Sequence, residues 1–235
     1  MTRPIDHVLS RLAQYDGAPI RLMEVCGTQT AEISRHGIRH LLPPGIQMIS
    51  GPGCPVCVTV TAYVDRLVWL SRQENTTVVS FGDLFRVPGS RESLSEAKGS
   101  GGHAVMVYAP SQMLTMARQQ PDHQFVFAAV GFETTAPIYA GMIRRAKEEG
   151  LQNLKFLTSL KTMPAALRWI CDHEPDIHGF LAPGHVCAVT GIQDYEQIAK
   201  EYGIPFVVSG FSAQELLAAI YALVCLQGKG ELRNF

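Results

Sequence analysis

The chain of 235 residues contains no run of 18 apolar residues, so no segment reads as a membrane-spanning helix. The longest apolar stretch, residues 216–226, is 11 long and reads as a buried helix. Basic charge is not in surplus: 20 Lys and Arg stand against 21 Asp and Glu, for a net charge of −1. That balance argues against a nucleic-acid partner, which a basic patch would announce. Residues 1–15 lack the apolar block of a signal peptide. Six cysteines are too few for a disulfide framework. The expected location is therefore the cytoplasm, where thiols stay reduced and clustered cysteines point to metal binding or redox chemistry. What the chain does have is 46% hydrophobic residues against 17% charged, enough to bury a core and incompatible with disorder.

Apolar, β-branched runs predict strands at 20–25, 46–50, 77–81, 104–108, 125–130, 155–160, 177–181 and 205–208. Helical periodicity predicts helices at 5–15, 59–72, 111–119, 136–149, 164–173, 192–202 and 212–226. This alternation is the pattern of an α/β protein with parallel sheets flanked by helices. A faint internal echo is present. Pro52-Gly53-Cys54-Pro55-Val56-Cys57-Val58-Thr59 resembles Pro183-Gly184-His185-Val186-Cys187-Ala188-Val189-Thr190, and the turns Gly131-Phe132-Glu133-Thr134 and Gly210-Phe211-Ser212-Ala213 follow similar strands. The expectation is two similar Rossmann-like halves plus an N-terminal helical segment. The bounds are 1–45 for that segment, 46–150 for a first α/β domain and 151–235 for a second. The polar, glycine-rich stretch 89–102 lacks the Gly-Lys-Ser/Thr ending of a phosphate loop and is expected to be a mobile surface turn.

The informative block is Ser50-Gly51-Pro52-Gly53-Cys54-Pro55-Val56-Cys57, between a predicted strand and a predicted helix. In a parallel sheet this places it at the carboxyl edge, where α/β proteins keep their ligand sites. Gly51 and Gly53 permit a tight turn and close backbone approach. A C-x-x-C pair can close a disulfide or chelate a metal, and a following helix start, with Thr59 as its cap, favours thiolate. Met23-Glu24-Val25-Cys26-Gly27-Thr28 also follows a strand, with Thr28 as the expected helix cap. Cys26 then faces the same edge as Cys54 and Cys57. Three thiols are soft ligands suited to iron, zinc or Cu(I), and one knuckle alone does not make a closed zinc site. Glu133 and Thr134 are expected to begin a helix, where a carboxylate serves as cap or as functional group. His185 occupies the echo position of Cys54. Asp83 is another acid at a strand end. Cys171 and Cys225 are expected to pack on helix faces, and Cys187 lies between the two cases.

The blocks Glu24-Val25-Cys26-Gly27-Thr28, Ser50 through Thr59, Phe81-Gly82-Asp83, Arg86-Val87-Pro88-Gly89-Ser90, Gly131-Phe132-Glu133-Thr134-Thr135-Ala136-Pro137 and Pro183-Gly184-His185-Val186 together resemble the HypD family of [NiFe]-hydrogenase maturation factors. The resemblance implies a cytoplasmic assembly factor, a redox-active metal scaffold rather than a conventional enzyme. It implies HypC as partner, with iron acquiring cyanide and carbon monoxide as an Fe(CN)2CO unit, and HypE acting with HypF as cyanide donor. By motif, Cys26 would hold the iron and Cys54 and Cys57 would be the redox dithiol. Glu133, Thr134 and His185 would lie near that cleft as catalytic residues, and Gly27, Thr28, Gly51 and Gly53 would bind the cofactor. Two departures stand out. The family's usual histidine after Cys-Gly-Thr is Gln29 here, which neither titrates near neutrality nor ligates metal comparably. The family's C-terminal segment with a four-cysteine [4Fe-4S] site has no counterpart in these residues, so no cluster is expected in this chain and helix 212–226 is expected to lack part of its cover. The alternatives are a general thiol–disulfide oxidoreductase using Cys54 and Cys57, a cysteine-nucleophile hydrolase using Cys26 or Cys54 with His185, and an interaction module with inert thiols.

Overall fold

The structure is a computed structural model that describes residues 4–227 and 232–234. Residues 1–3, 228–231 and 235, which the expected N-terminal segment and second domain include, lie outside the described residues. The chain begins with α1 (Pro4–Ala13), β1 (Ile20–Glu24), α2 (Gly27–Arg35), the single turn α3 (Ile38–Leu41) and β2 (Ile46–Ser50). There follow α4 (Thr61–Ser71), β3 (Thr76–Ser80), α5 (Gly82–Phe85), α6 (Leu94–Gly99), β4 (Ala104–Met106), α7 (Ser111–Gln119), β5 (Gln124–Gly131), α8 (Ala136–Glu148) and β6 (Leu154–Leu160). The last stretch holds α9 (Met163–His173), β7 (Gly179–Pro183), α10 (Gly184–Thr190), α11 (Gln193–Tyr202), β8 (Phe206–Ser209), α12 (Ala213–Cys225) and β9 (Leu232–Asn234).

Two compact units result, one of Met1–Cys54 with Thr162–Phe235 and one of Pro55–Lys161. Each is an α/β unit around an all-parallel sheet, in the order β2-β1-β7-β8-β9 in the first and β4-β3-β5-β6 in the second. The expected Rossmann-like halves are therefore present, but their bounds differ from those at 45 and 150. β1 pairs with β2 on one side and β7 on the other, so the N-terminal stretch lies inside a sheet that the C-terminal stretch completes. β6 pairs with β5 from Leu154 to Leu160, which keeps it with the middle of the chain. Neither pairing leaves a local signal in the sequence.

Burial follows position in the sheets. β3, β7 and β8 are buried throughout and β5 from its second residue on, as strands covered on both faces must be. The edge strands β2 and β6 alternate or thin out. In the second unit Val78, Ala128 and Val130 pack under Tyr63, Val64 and Leu67 of α4. The opposite face carries Val79, Phe127 and Ala129 under α7 and α8. In the first unit the core joins Leu12 of α1 to Leu216, Ile220 and Leu223 of α12. The uncovered face expected for α12 is thus not found, because α1 packs on it. Burying one such leucine stabilises by about 1.5–3 kcal/mol.

The stretch 89–102 is not a loop throughout, since it holds α6. Ser93 accepts the Glu96 N–H while the Glu96 carboxylate accepts the Ser93 N–H at 2.7 Å, a reciprocal cap that starts the helix. The Ser-x-x-Glu spacing is its sequence signature. Asn153 is a second local anchor: its Nδ2 donates to the carbonyls of Ala117, Gln120 and His123 at 2.9–3.1 Å in a buried setting. Asn153→Ala leaves those carbonyls without this donor and is expected to destabilise the protein by about 1–3 kcal/mol. Urea unfolding measures it, and an unchanged midpoint would show that water replaces the amide at no cost.

Candidate functional site

β1 ends at Glu24, and two residues later Cys26 is the N-cap of α2. Its backbone is extended (φ −146°, ψ 124°), carrying the strand direction up to the helix. The expected cap, Thr28, lies inside the first turn instead. No side-chain oxygen caps α2; the Gly27 N–H donates to the Gly53 carbonyl at 3.3 Å. The loop after β2 thus caps the helix after β1. The same loop gives the Gly51 N–H to the Glu24 carbonyl at 2.8 Å.

Glycine is required for this approach. A Cβ on Gly53 would lie 2.3 Å from the Cys26 nitrogen and 2.4 Å from its Cα, backbone atoms that cannot step aside. One on Gly51 would lie 2.8 Å from the Glu24 carbonyl oxygen. One on Gly27 would sit 3.6 Å from Cβ of Cys54, an ordinary contact that places the two loops side by side. The structure therefore brings together Cys26, Gly27, Gly51, Gly53 and Cys54. Cys26 is buried and Cys54 half-buried. His185 is the second residue of α10, at the carboxyl end of β7, the strand next to β1; it is exposed, and its ring centroid stands 5.4 Å from that of Phe211.

Two fully buried polar side chains shape this edge. The Glu24 carboxylate accepts from Thr30 Oγ1 at 2.7 Å and from the Cys26 N–H at 3.4 Å. Burial pushes its acidity down, raising its pKa, while the bonds from Thr30, Ser50 and Cys26 and the charge of Arg39 pull the other way. Gln29 Nε2 donates toward the carbonyls of Ser209 and Ala182, at 3.3 and 3.5 Å, at the ends of β8 and β7. Its Oε1 is buried with no partner among the described residues. The signal for Glu24 is an acid at the end of an otherwise apolar strand. Gln29 carries none beyond its motif.

Of the remaining predicted residues, Cys57, Thr59, Asp83, Glu133 and Thr134 belong to the second unit, and Cys171, Cys187 and Cys225 to the first. Cys54 and Cys57 are both disulfide-bonded, whereas Cys26, Cys171, Cys187 and Cys225 are free. Cys57 is exposed. Thr59 is not the cap of α4: its hydroxyl donates to the Pro55 carbonyl at 2.8 Å, and Val60 precedes the helix. Glu133 and Thr134 are half-buried in the turn after β5. They do not begin α8, which starts at Ala136, because the proline that favours a first turn is Pro137. Asp83 is exposed, its Oδ1 accepting the Leu84 N–H at 2.8 Å. Cys225 is exposed rather than packed, while burial pushes the thiols of Cys171 and Cys187 up to about 11. Among the described residues no group of three or more His, Cys, Asp or Glu is placed to hold a metal ion. Among those residues, too, no helix is long and apolar enough to cross a membrane.

Residues 3–234 match the family described as HypD, hydrogenase formation hypA family. The hydrogenase maturation factor HypD of Rhodobacter capsulatus is 41% identical over 234 residues, covering 96% of this chain and 62% of the relative. That of Escherichia coli K12 is 39% identical over 225 residues, covering 94% and 60%. A putative hydrogenase expression/formation protein of Methanocaldococcus jannaschii is 34% identical over 217 residues, covering 92% and 60%. The chain spans about three-fifths of the length of these curated relatives.

Gly53→Ala is expected to drive the two loops apart and to cost at least about 2 kcal/mol in urea unfolding. A change within about 0.5 kcal/mol would mean that the backbones separate freely. Native alkylation by iodoacetamide at pH 8, read by peptide mass spectrometry, is expected to modify Cys225 and spare Cys187. A raised thiol pKa lowers the thiolate fraction, so Cys187 should react only as the pH climbs toward about 11.

Proposed function

The chain belongs to the HypD family, and on that premise we propose that it works in hydrogenase maturation as a scaffold on which iron acquires its diatomic ligands. In this reading Cys26 presents one thiolate to the iron, and a cysteine of the small partner HypC supplies another. The iron is cargo, built up as an Fe(CN)2CO unit with HypE, acting with HypF, as the cyanide donor. Cyanide and carbon monoxide are strong-field ligands that favour low-spin Fe(II), for which soft thiolates are suitable anchors.

The observation that carries the reading is the seating of the Gly51–Cys54 backbone on that of Glu24–Gly27, which puts Cys54 beside the loop of Cys26. The positive end of α2 meets whatever negative charge Cys26 and its cargo bring. Glu24 holds the Cys26 N–H and fixes the thiol-bearing residue. The disulfide of Cys54 and Cys57 takes up two electrons and two protons to become a dithiol. In reverse, the dithiol closes its S–S bond and gives up two electrons and two protons. Glu133, Thr134 and His185 remain assigned to the same chemistry by motif.

That disulfide also favours a second reading, a general thiol–disulfide oxidoreductase. The two separate in one set of experiments. Mixed with HypC and Fe(II) under anaerobic conditions, the protein is expected to co-elute with its partner and retain iron, and Cys26→Ser to lower the iron at least about tenfold. With the other maturation proteins present, infrared bands of metal-bound cyanide and carbon monoxide are expected. Equal iron in Cys26→Ser would remove Cys26 from its role. Rapid insulin reduction without iron retention would favour the oxidoreductase.

A further inference from the structure

The second unit carries a small cavity that the iron chemistry does not use. Its sheet runs β4-β3-β5-β6, so the chain leaves β3 toward one side and β5 toward the other. The crevice outside the carboxyl ends of β3 and β5 is the topological switch point, where parallel α/β sheets bind their ligands. A cavity of about 140 Å3 lies there, walled by Ser80 at the end of β3 with Phe81 and Asp83 after it, and by Val130 near the end of β5 with Thr135 and Tyr139 after it. Pro55 and Val56 also line it, and these are the two residues between Cys54 and Cys57.

The chemistry of the walls selects the occupant. A space this size suits a molecule no larger than benzene, which fits a cavity of ~150 Å3, and is too small for a nucleotide. The Ser80 and Tyr139 hydroxyls donate their hydrogens to the carbonyls of Phe81 and Val130, which leaves their oxygens as acceptors. Asp83 adds a carboxylate, and the Thr135 hydroxyl makes no cap bond to its own helix. No Lys, Arg or His lines the cavity among the described residues. The start of α8 offers an anion nothing either: the Thr135 and Ala136 N–H groups both donate to the Phe132 carbonyl, residue 137 is proline, and the Ile138 N–H donates to Thr135. A phosphate or carboxylate would meet acceptors and a negative charge. Apolar walls from Val56, Leu84, Ala128 and Val130 disfavour stripping water from a cation.

We propose that this cavity binds a small uncharged molecule bearing N–H or O–H donors, and holds it more tightly when Cys54 and Cys57 are disulfide-bonded than when they are thiols. The second part follows from the lining. Closing the C-x-x-C ring restricts Pro55 and Val56, so part of the wall is already set before the ligand arrives. By linkage, an occupant that prefers the oxidised form makes that form harder to reduce by the same factor. This inference stands apart from the iron reading, since it needs neither HypC nor metal.

The test is a titration of 15N-labelled protein with propionamide, and with propionate as the charged control of the same shape. Saturable amide shifts are expected at Val56, Phe81, Asp83 and Thr135, with a Kd in roughly the millimolar range for so small a ligand. Propionate should give none. Thr135→Val, whose lost hydroxyl caps nothing, should weaken propionamide at least about threefold with an otherwise unchanged spectrum. Protein reduced by dithiothreitol should also bind at least about threefold more weakly. Saturation by propionate with equal affinity, shifts that lie outside this cavity, absence of saturation, or equal affinity in the oxidised and reduced forms would each overturn the proposal.

Discussion

One backbone-on-backbone contact organises the candidate site. Gly53 lies so close to the nitrogen and Cα of Cys26 that no side chain fits between them. The sheet makes this contact available. β1 and β2 pair in parallel with Glu24 opposite Ser50, so their loops leave the sheet at the same level and in the same direction. With the Gly27 N–H capped by the Gly53 carbonyl, a helix that lacks a side-chain cap obtains one from the neighbouring loop. The position of Cys54 beside Gly27 is a consequence of that seating.

The polar groups beneath the contact follow from it. A carboxyl buried as fully as Glu24 is costly unless it is hydrogen-bonded, and its acceptors are filled by Thr30 and the Cys26 N–H. Gln29 reaches the carbonyls at the ends of β7 and β8, so the start of α2 is tied to two strands supplied by the far end of the chain. Glutamine performs this tie without a titrating group. The family's more usual histidine could add a proton at the same place, and this chain does without it.

The second unit repeats the principle with different chemistry. Its strand ends also converge on a crevice, but the walls there are apolar carbons, hydroxyl oxygens and the Asp83 carboxylate. The two residues between the disulfide-bonded cysteines line that crevice, so a disulfide and a small cavity share the same short loop. A parallel sheet leaves its loops free to vary while it holds their bases in register, which is how two units of one architecture come to present unlike sites.

Much of this was legible in the chain itself. Apolar runs and helical periodicity located the buried strands and long helices, because burial on both faces leaves continuous hydrophobic stretches that local reading detects. The Gly-Pro-Gly-Cys-Pro-Val-Cys block announced a tight turn with thiol chemistry, since glycine and paired cysteines at that spacing have few other uses. The caps at Thr28 and Thr59 and the helix start at Glu133 were misplaced, because a threonine near a helix start is a cap only when the incoming backbone lets it be one. What tertiary structure alone decided was the partnership of strands: β7, more than 150 residues after β1, completes its sheet, and so joins the first fifty residues to the last seventy. Pairing across such distances is set by which edges the whole chain leaves open to be buried. No window of local sequence contains that information.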